Sequence, residues 1–169
     1  MSEAQTSLPD LMRLAGFALG HAIWCVSDNE TLIPFLLSER DEKRQLLRVT
    51  AELLEDAVQQ AAAQLEANPD RSERAVLVYD GYVTMDDLRS DALIVKALEY
   101  GVIETPVRVY LRYRPGRAGE GFAIYRPTLV IPTAPDLARQ QMAQWLFAGL
   151  AEHEQGTAVW ERCYVDPET

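Results

Sequence analysis

Hydrophobic and polar positions recur along this 169-residue chain with two different periods. Between 106 and 114, Val107, Val109, Leu111 and Tyr113 alternate with Arg108, Tyr110, Arg112 and Arg114. A period of two puts the first set on one face of a strand and the second on the other. Elsewhere the spacing is helical. Leu54, Val58, Ala61 and Leu65 stack on one side of a segment that opens near Thr50 and stops at Asn68 and Pro69, with Gln59, Gln60 and Glu66 opposite. A helix is predicted from about Leu8 to Trp24, with Ser7 as N-cap, Pro9 in the first turn and Asp10 completing a capping box. Thr133, Pro135 and Asp136 repeat that start signal, and Ala138, Met142, Trp145, Leu146, Gly149 and Leu150 form the stripe of a third helix ending near Gly156. The Pro-Asp-Leu triplet shared by 9–11 and 135–137 reflects common capping chemistry, because the sequences diverge directly after it.

Strand-like runs fill much of the remainder: 31–39, 44–50, 75–83, 91–100, 106–114, 121–131 and 157–165. The first two read as a hairpin across Arg40-Asp41-Glu42-Lys43, and Pro34 points to an edge position for the first. Short links favour antiparallel pairing over crossovers. The expectation is one α+β domain over 1–169: a mostly antiparallel sheet of about six or seven strands with about three helices on one face, in the order α-β-β-α-β-β-β-β-α-β.

A 48% hydrophobic content at this length suits a single buried core. Asp10, Arg13 and His21 interrupt the apolar stretch 8–24, which is too short and too polar to span a bilayer, and the opening residues lack a secretion signature. Cys25 and Cys163 are far apart and without metal-ligand spacing, which argues for reduced thiols and a cytoplasmic location. No cofactor or metal is expected.

Charge changes this picture most. The chain carries 26 acids against 16 bases, net -10, yet 105–133 holds Arg108, Arg112, Arg114, Arg117 and Arg126 against Glu120 alone. The acidic body disfavours nucleic acid and anionic membranes. The basic strip offers guanidinium groups in register, the geometry for gripping carboxylates bidentately. The expected function is therefore a non-enzymatic binding or adaptor module. It would recognise an acidic protein partner through Arg108, Tyr110, Arg112, Arg114 and Arg126, with self-association as a homodimer a further expectation. Gly16 and Gly20 would admit a close helix neighbour, whether internal or from a second copy.

The competing reading is a metal-dependent hydrolase built from Asp80, Asp91, Glu99 and Lys96 around a hairpin. The element order permits comparison with the PD-(D/E)xK nuclease fold, but Ile94 stands two before Lys96, where that motif requires Asp or Glu. Asp80, if buried, should have an arginine or backbone donor. The glycine-rich 115–121 lacks the lysine and following helix of a phosphate loop and reads as a hairpin turn. No GxSxG is present, and cysteine catalysis would require Cys25 or Cys163 to meet His21 or His153 in space. Trp24, Trp145 and Trp160 are expected in the core, as is His21, or at an interface, with His153 on the surface.

Overall fold

The computed structural model describes residues 3–132 and 136–166, with 3–7, 136 and 137 described by their backbone. Its elements run α1 (Glu3–Ser27), β1 (Phe35–Arg40), β2 (Lys43–Arg48), α2 (Leu54–Ala67), β3 (Arg74–Met85), β4 (Leu88–Glu99), β5 (Val107–Arg114), β6 (Ala123–Ile124), β7 (Thr128–Val130), α3 (Asp136–Ala151) and α4 (Glu154–Cys163). The α+β class and antiparallel sheet stand as expected. Seven strands form that sheet in the order β2-β1-β3-β4-β5-β6, with β7 also on β5. Two tight hairpins set the register: Asp41 and Glu42 join β1 to β2, and Asp86 and Asp87 join β3 to β4, all four at positive φ. That is the backbone of a two-residue turn whose twist matches its strands, tolerated best by Asp and Asn among side chains that carry a Cβ.

The pleat sends two sets of apolar residues to opposite faces. Phe35, Leu37, Val76, Val78, Leu93, Val95, Val109 and Leu111 meet α1 in the main core. Leu36, Ala75, Leu77 and Leu98 meet Ala61 and Leu65 of α2 in a second one. Burying each such Leu, Val or Phe contributes about 1.5–3 kcal/mol relative to exposure. α1 is apolar on most of its circumference because it lies between the sheet and the pair α3 and α4. The helix crossing is tight: a Cβ on Gly16 would lie 1.9 Å from the Leu146 carbonyl oxygen, and one on Gly149 1.9 Å from that of Arg13. The Gly16–Gly20 ridge is thus filled from within the chain, by α3 and by His153 and α4.

Several expectations are corrected. Segment 157–165 is not a strand: α4 covers most of it. The His153 Nδ1 accepts the Gly156 N–H at 2.9 Å to start this helix, and Gly156 and Val159 pack inward at helical spacing. The third helix accordingly ends at Ala151. α1 begins at Glu3, so Ser7 and Pro9 lie inside the helix and Ser7 is no N-cap. Thr133 and Pro135, the second proposed start signal, lie outside the described residues. Helices occupy both faces, because α2 has its own apolar stripe for the second core. Pro34 precedes β1, and the edge belongs to β2. Arg126 and Pro127 break 121–131 into β6 and β7, since proline has no N–H for a ladder. Trp24 is 40% exposed rather than core, whereas His153 is buried.

Charges also bridge strands. On the α1 face, Arg44, Glu39, Arg74 and Glu99 are successive cross-strand neighbours on β2, β1, β3 and β4. Arg74 Nε donates to Glu99 at 2.8 Å, Arg74 also pairs with Glu39, and Arg44 Nε donates to Glu39 at 3.0 Å. Burial pushes the Glu99 carboxyl above its usual range against the pull of Arg74, while for Arg74 burial is outweighed by its two carboxylates.

Candidate functional site

β5 has the predicted alternation: Val107, Val109, Leu111 and Tyr113 are buried, and Arg108, Tyr110, Arg112 and Arg114 point to the other face. There α2 packs over β1 and β3, and on β5 Arg108 is exposed while Tyr110, Arg112 and Arg114 are half-buried. Cross-strand register brings Lys96 of β4 beside Arg108, with Val130 of β7 on the other side. Like charges directly opposite destabilise a sheet unless an anion separates them. Neither Lys96 nor Arg108 has an ion-pair partner among the described residues. Lys96 Nζ lies over the Tyr79 ring at 5.6 Å.

Beyond Tyr110 the strand reaches an open cleft of about 780 Å³ at the sheet edge. The break between β6 and β7 creates it: β7 pairs with Arg108–Tyr110, β6 with Tyr113 and Arg114, and 125–127 detours between them. There the Tyr125 N–H donates to the Arg112 carbonyl at 3.0 Å. Arg112 and Arg126 line one wall, and α3 supplies Arg139, Gln140 and Phe147 to the other. Tyr164 and Asp166, after α4, close one end. Phe147, Trp160 and Tyr164 form an aromatic run, edge-to-face at 5.5 Å and then stacked at 4.9 Å. Arg112 is the most telling member. Its guanidinium stands over Tyr125 at 5.8 Å, and its Nε is buried with no hydrogen-bond partner, the one such side-chain atom among the described residues. A buried donor without an acceptor costs about 1–3 kcal/mol, more for a charged group.

The other predicted binding residues divide. Arg126 is exposed at the cleft and in no ion pair among the described residues. Arg114 is already engaged: Nε donates to the Gly121 carbonyl at 2.7 Å and Nη1 to Glu120 at 2.8 Å, which ties down the 115–121 turn. Arg139, Phe147 and Tyr164 escaped sequence reading because they come from α3 and the segment after α4, and no spacing rule connects them to β5.

The hydrolase set is not assembled. Asp80 and Asp91 share a cleft of about 240 Å³ with Arg117. Glu99 is at the far end of β4, about 27 Å from Asp91 at a rise of about 3.4 Å per residue. It is bound there to Arg74. Lys96 faces the opposite side of the sheet from Asp91, an odd number of residues along the same strand. Among the described residues no group of three or more His, Cys, Asp or Glu is placed to hold a metal. Asp80 accepts from the Tyr113 hydroxyl at 2.7 Å and from the Gly81 backbone N–H, the second being the backbone donor expected of it. Burial raises the Asp80 carboxyl above its usual range, opposed by that hydrogen bond.

One cysteine does meet a histidine: Cys25 Sγ lies 3.7 Å from His21 Nε2. Burial pushes the thiol up and the imidazole down, the reverse of an activated thiolate pair. His21 and His153 lie ring to ring at 5.6 Å, beside Trp24 and Phe35. Among the described residues no helix is long and apolar enough to cross a membrane. Comparison with protein-family models, curated proteins and solved structures found no significant match to this chain.

Proposed function

We propose that this protein is a cytoplasmic, non-enzymatic binding or adaptor module that takes an acidic segment of a partner protein along the β5 face and into the adjoining cleft. Lys96 and Arg108 would hold one carboxylate between them, and Arg112 and Arg126 another, with Tyr110 and the Phe147 ring flanking the chain that carries them. One observation carries this reading: in a protein of net charge -10, Lys96, Arg108, Arg112 and Arg126 have no carboxylate partner among the described residues. Arg74, Arg44 and Arg114 each have at least one. Neighbouring cations in a row repel one another, and an anion placed between them relieves that repulsion. The remaining negative surface favours short-range capture over long-range attraction, so binding is confined to segments that can reach the strip. With Gly16 and Gly20 occupied internally, the reading needs no second copy.

The test is a fluorescence-anisotropy titration with a fluorescein-labelled oligoglutamate peptide, and an oligolysine peptide as control. Wild-type protein should bind the acidic peptide with an affinity that falls as salt rises. Each charge-assisted bond lost is worth about 1.5–3 kcal/mol, roughly ten- to a hundredfold in Kd. Arg108→Glu and Arg112→Glu together should abolish binding while the melting temperature holds. Indifference of the wild type to oligoglutamate, or equal binding by the double variant, would overturn the proposal.

A further inference from the structure

The cleft already contains one carboxylate, and it is the chain's own. After α4 ends at Cys163 the backbone turns extended, with Tyr164 at φ -68 and ψ 129. It then runs parallel to β6 as a one-rung ladder: Tyr164 bridges Ile124, and the Val165 N–H donates to the Ile124 carbonyl at 2.8 Å. The Tyr164 ring is stacked on Trp160 at an interplanar angle of 13°. These two ties deliver the next residue, Asp166, into the lining of the cleft that holds Arg112, Arg126 and Arg139. It is the one acid among the lining residues. A carboxylate among arginines is also the contact the acidic partner is proposed to make.

We propose that Tyr164–Asp166 is a built-in competitor for the arginine cleft, a pseudo-ligand that an acidic partner segment must displace. The inference rests on the acidic-segment reading above and adds its regulation. Binding then brings a partner carboxylate into the cleft that Asp166 already lines, so the two compete for the same space beside the arginines. The free energy that the tail contributes by staying docked is subtracted from the affinity for any incoming segment. Because Asp166 is exposed, its share is that of a surface charge, and its release should tighten binding about three- to fivefold.

Two variants separate docking from charge. Val165→Pro removes the N–H that bonds Ile124 and leaves net charge unchanged, and the extended Tyr164 accommodates a following proline. Asp166→Asn keeps the backbone and removes the competing charge. Glu66→Gln, on the exposed side of α2 away from the cleft, controls for the drop in overall negative charge. Titrated with labelled oligoglutamate, Val165→Pro and Asp166→Asn should each bind about three- to fivefold tighter than wild type, and Glu66→Gln should match it. Wild-type affinity in both tail variants, with peptide binding intact, would overturn the competitor and leave the acidic-segment reading standing. So would a gain in Asp166→Asn no larger than that of Glu66→Gln with Val165→Pro unchanged. Failure of oligoglutamate to bind wild type and every variant would remove both.

Discussion

Replacing Gly149 by alanine tests one of the two closest helix approaches at the described glycines. The added Cβ would lie 1.9 Å from the Arg13 carbonyl oxygen and 2.6 Å from its carbon, both backbone atoms of α1. A helix backbone cannot rotate aside as a side chain can. α1 and α3 must therefore part locally by about 1.5 Å before contacts return to the ordinary range near ~3.5 Å. That gap opens beside Leu146 and Leu150, which are buried against α1, and loosens their packing. Overpacking against a rigid neighbour lies at the upper end of the usual range, about 3 kcal/mol, while the helix propensity of alanine returns about 1 kcal/mol. The net loss is about 2 kcal/mol. For a domain of this size it lowers the melting temperature by roughly 4–8 °C. Thermal unfolding followed by far-UV circular dichroism measures it, with Gly119→Ala as control, since a Cβ there meets nothing within 4 Å. A Gly149→Ala variant that melts with or above wild type would refute the close-crossing argument.

Other consequences follow from buried charge. Arg74→Met leaves Glu99 and Glu39 facing each other without their shared cation and should cost about 3–5 kcal/mol by urea denaturation, where Arg44→Met, at the outer end of the ladder, costs far less. Asp80 has its folded-state carboxyl raised by burial, so its contribution to stability is complete below the unfolded value of about 3.9 and is lost as pH rises through the folded one. Asp80→Asn keeps an acceptor for the Tyr113 hydroxyl and should melt higher than wild type at pH 7 but not at pH 3.5; a lower melting point at pH 7 contradicts this. His21 and His153 are both held below the usual imidazole range by burial, His21 also by His153 and Arg48. Their contribution is complete above about pH 6.5 and is lost as pH falls through the folded values, so the melting temperature should decline from pH 7.5 to 5.5. Protonation of His153 would also remove the acceptor for the Gly156 N–H that starts α4. A flat profile over that interval would show that neither ring is shielded.

Local chemistry determined a good deal by itself. The alternation in 106–114 specified a strand with its arginines opposite the core, because a period of two admits no other placement once one face is apolar. Asn68 ended α2 in the left-handed conformation, and the Asp-Glu and Asp-Asp pairs made turns, since those residues tolerate positive φ where strands must reverse. Over 156–165 the pattern was ambiguous: Gly156, Val159, Trp160 and Cys163 suit a helix, while Thr157, Val159 and Val165 suit a strand. The buried His153 cap and the groove beside Gly20 decided for helix. Tertiary structure alone decided which arginines are spoken for. Arg114 finds Glu120 across a turn, Arg74 finds Glu99 across a hairpin, and Arg112 is left with an unanswered buried N–H in a cleft that α3 and the segment after α4 complete. Spacing rules see neighbours within one helix or strand, whereas the pairing of a charge depends on which distant carboxylate the packed core brings within about 4 Å.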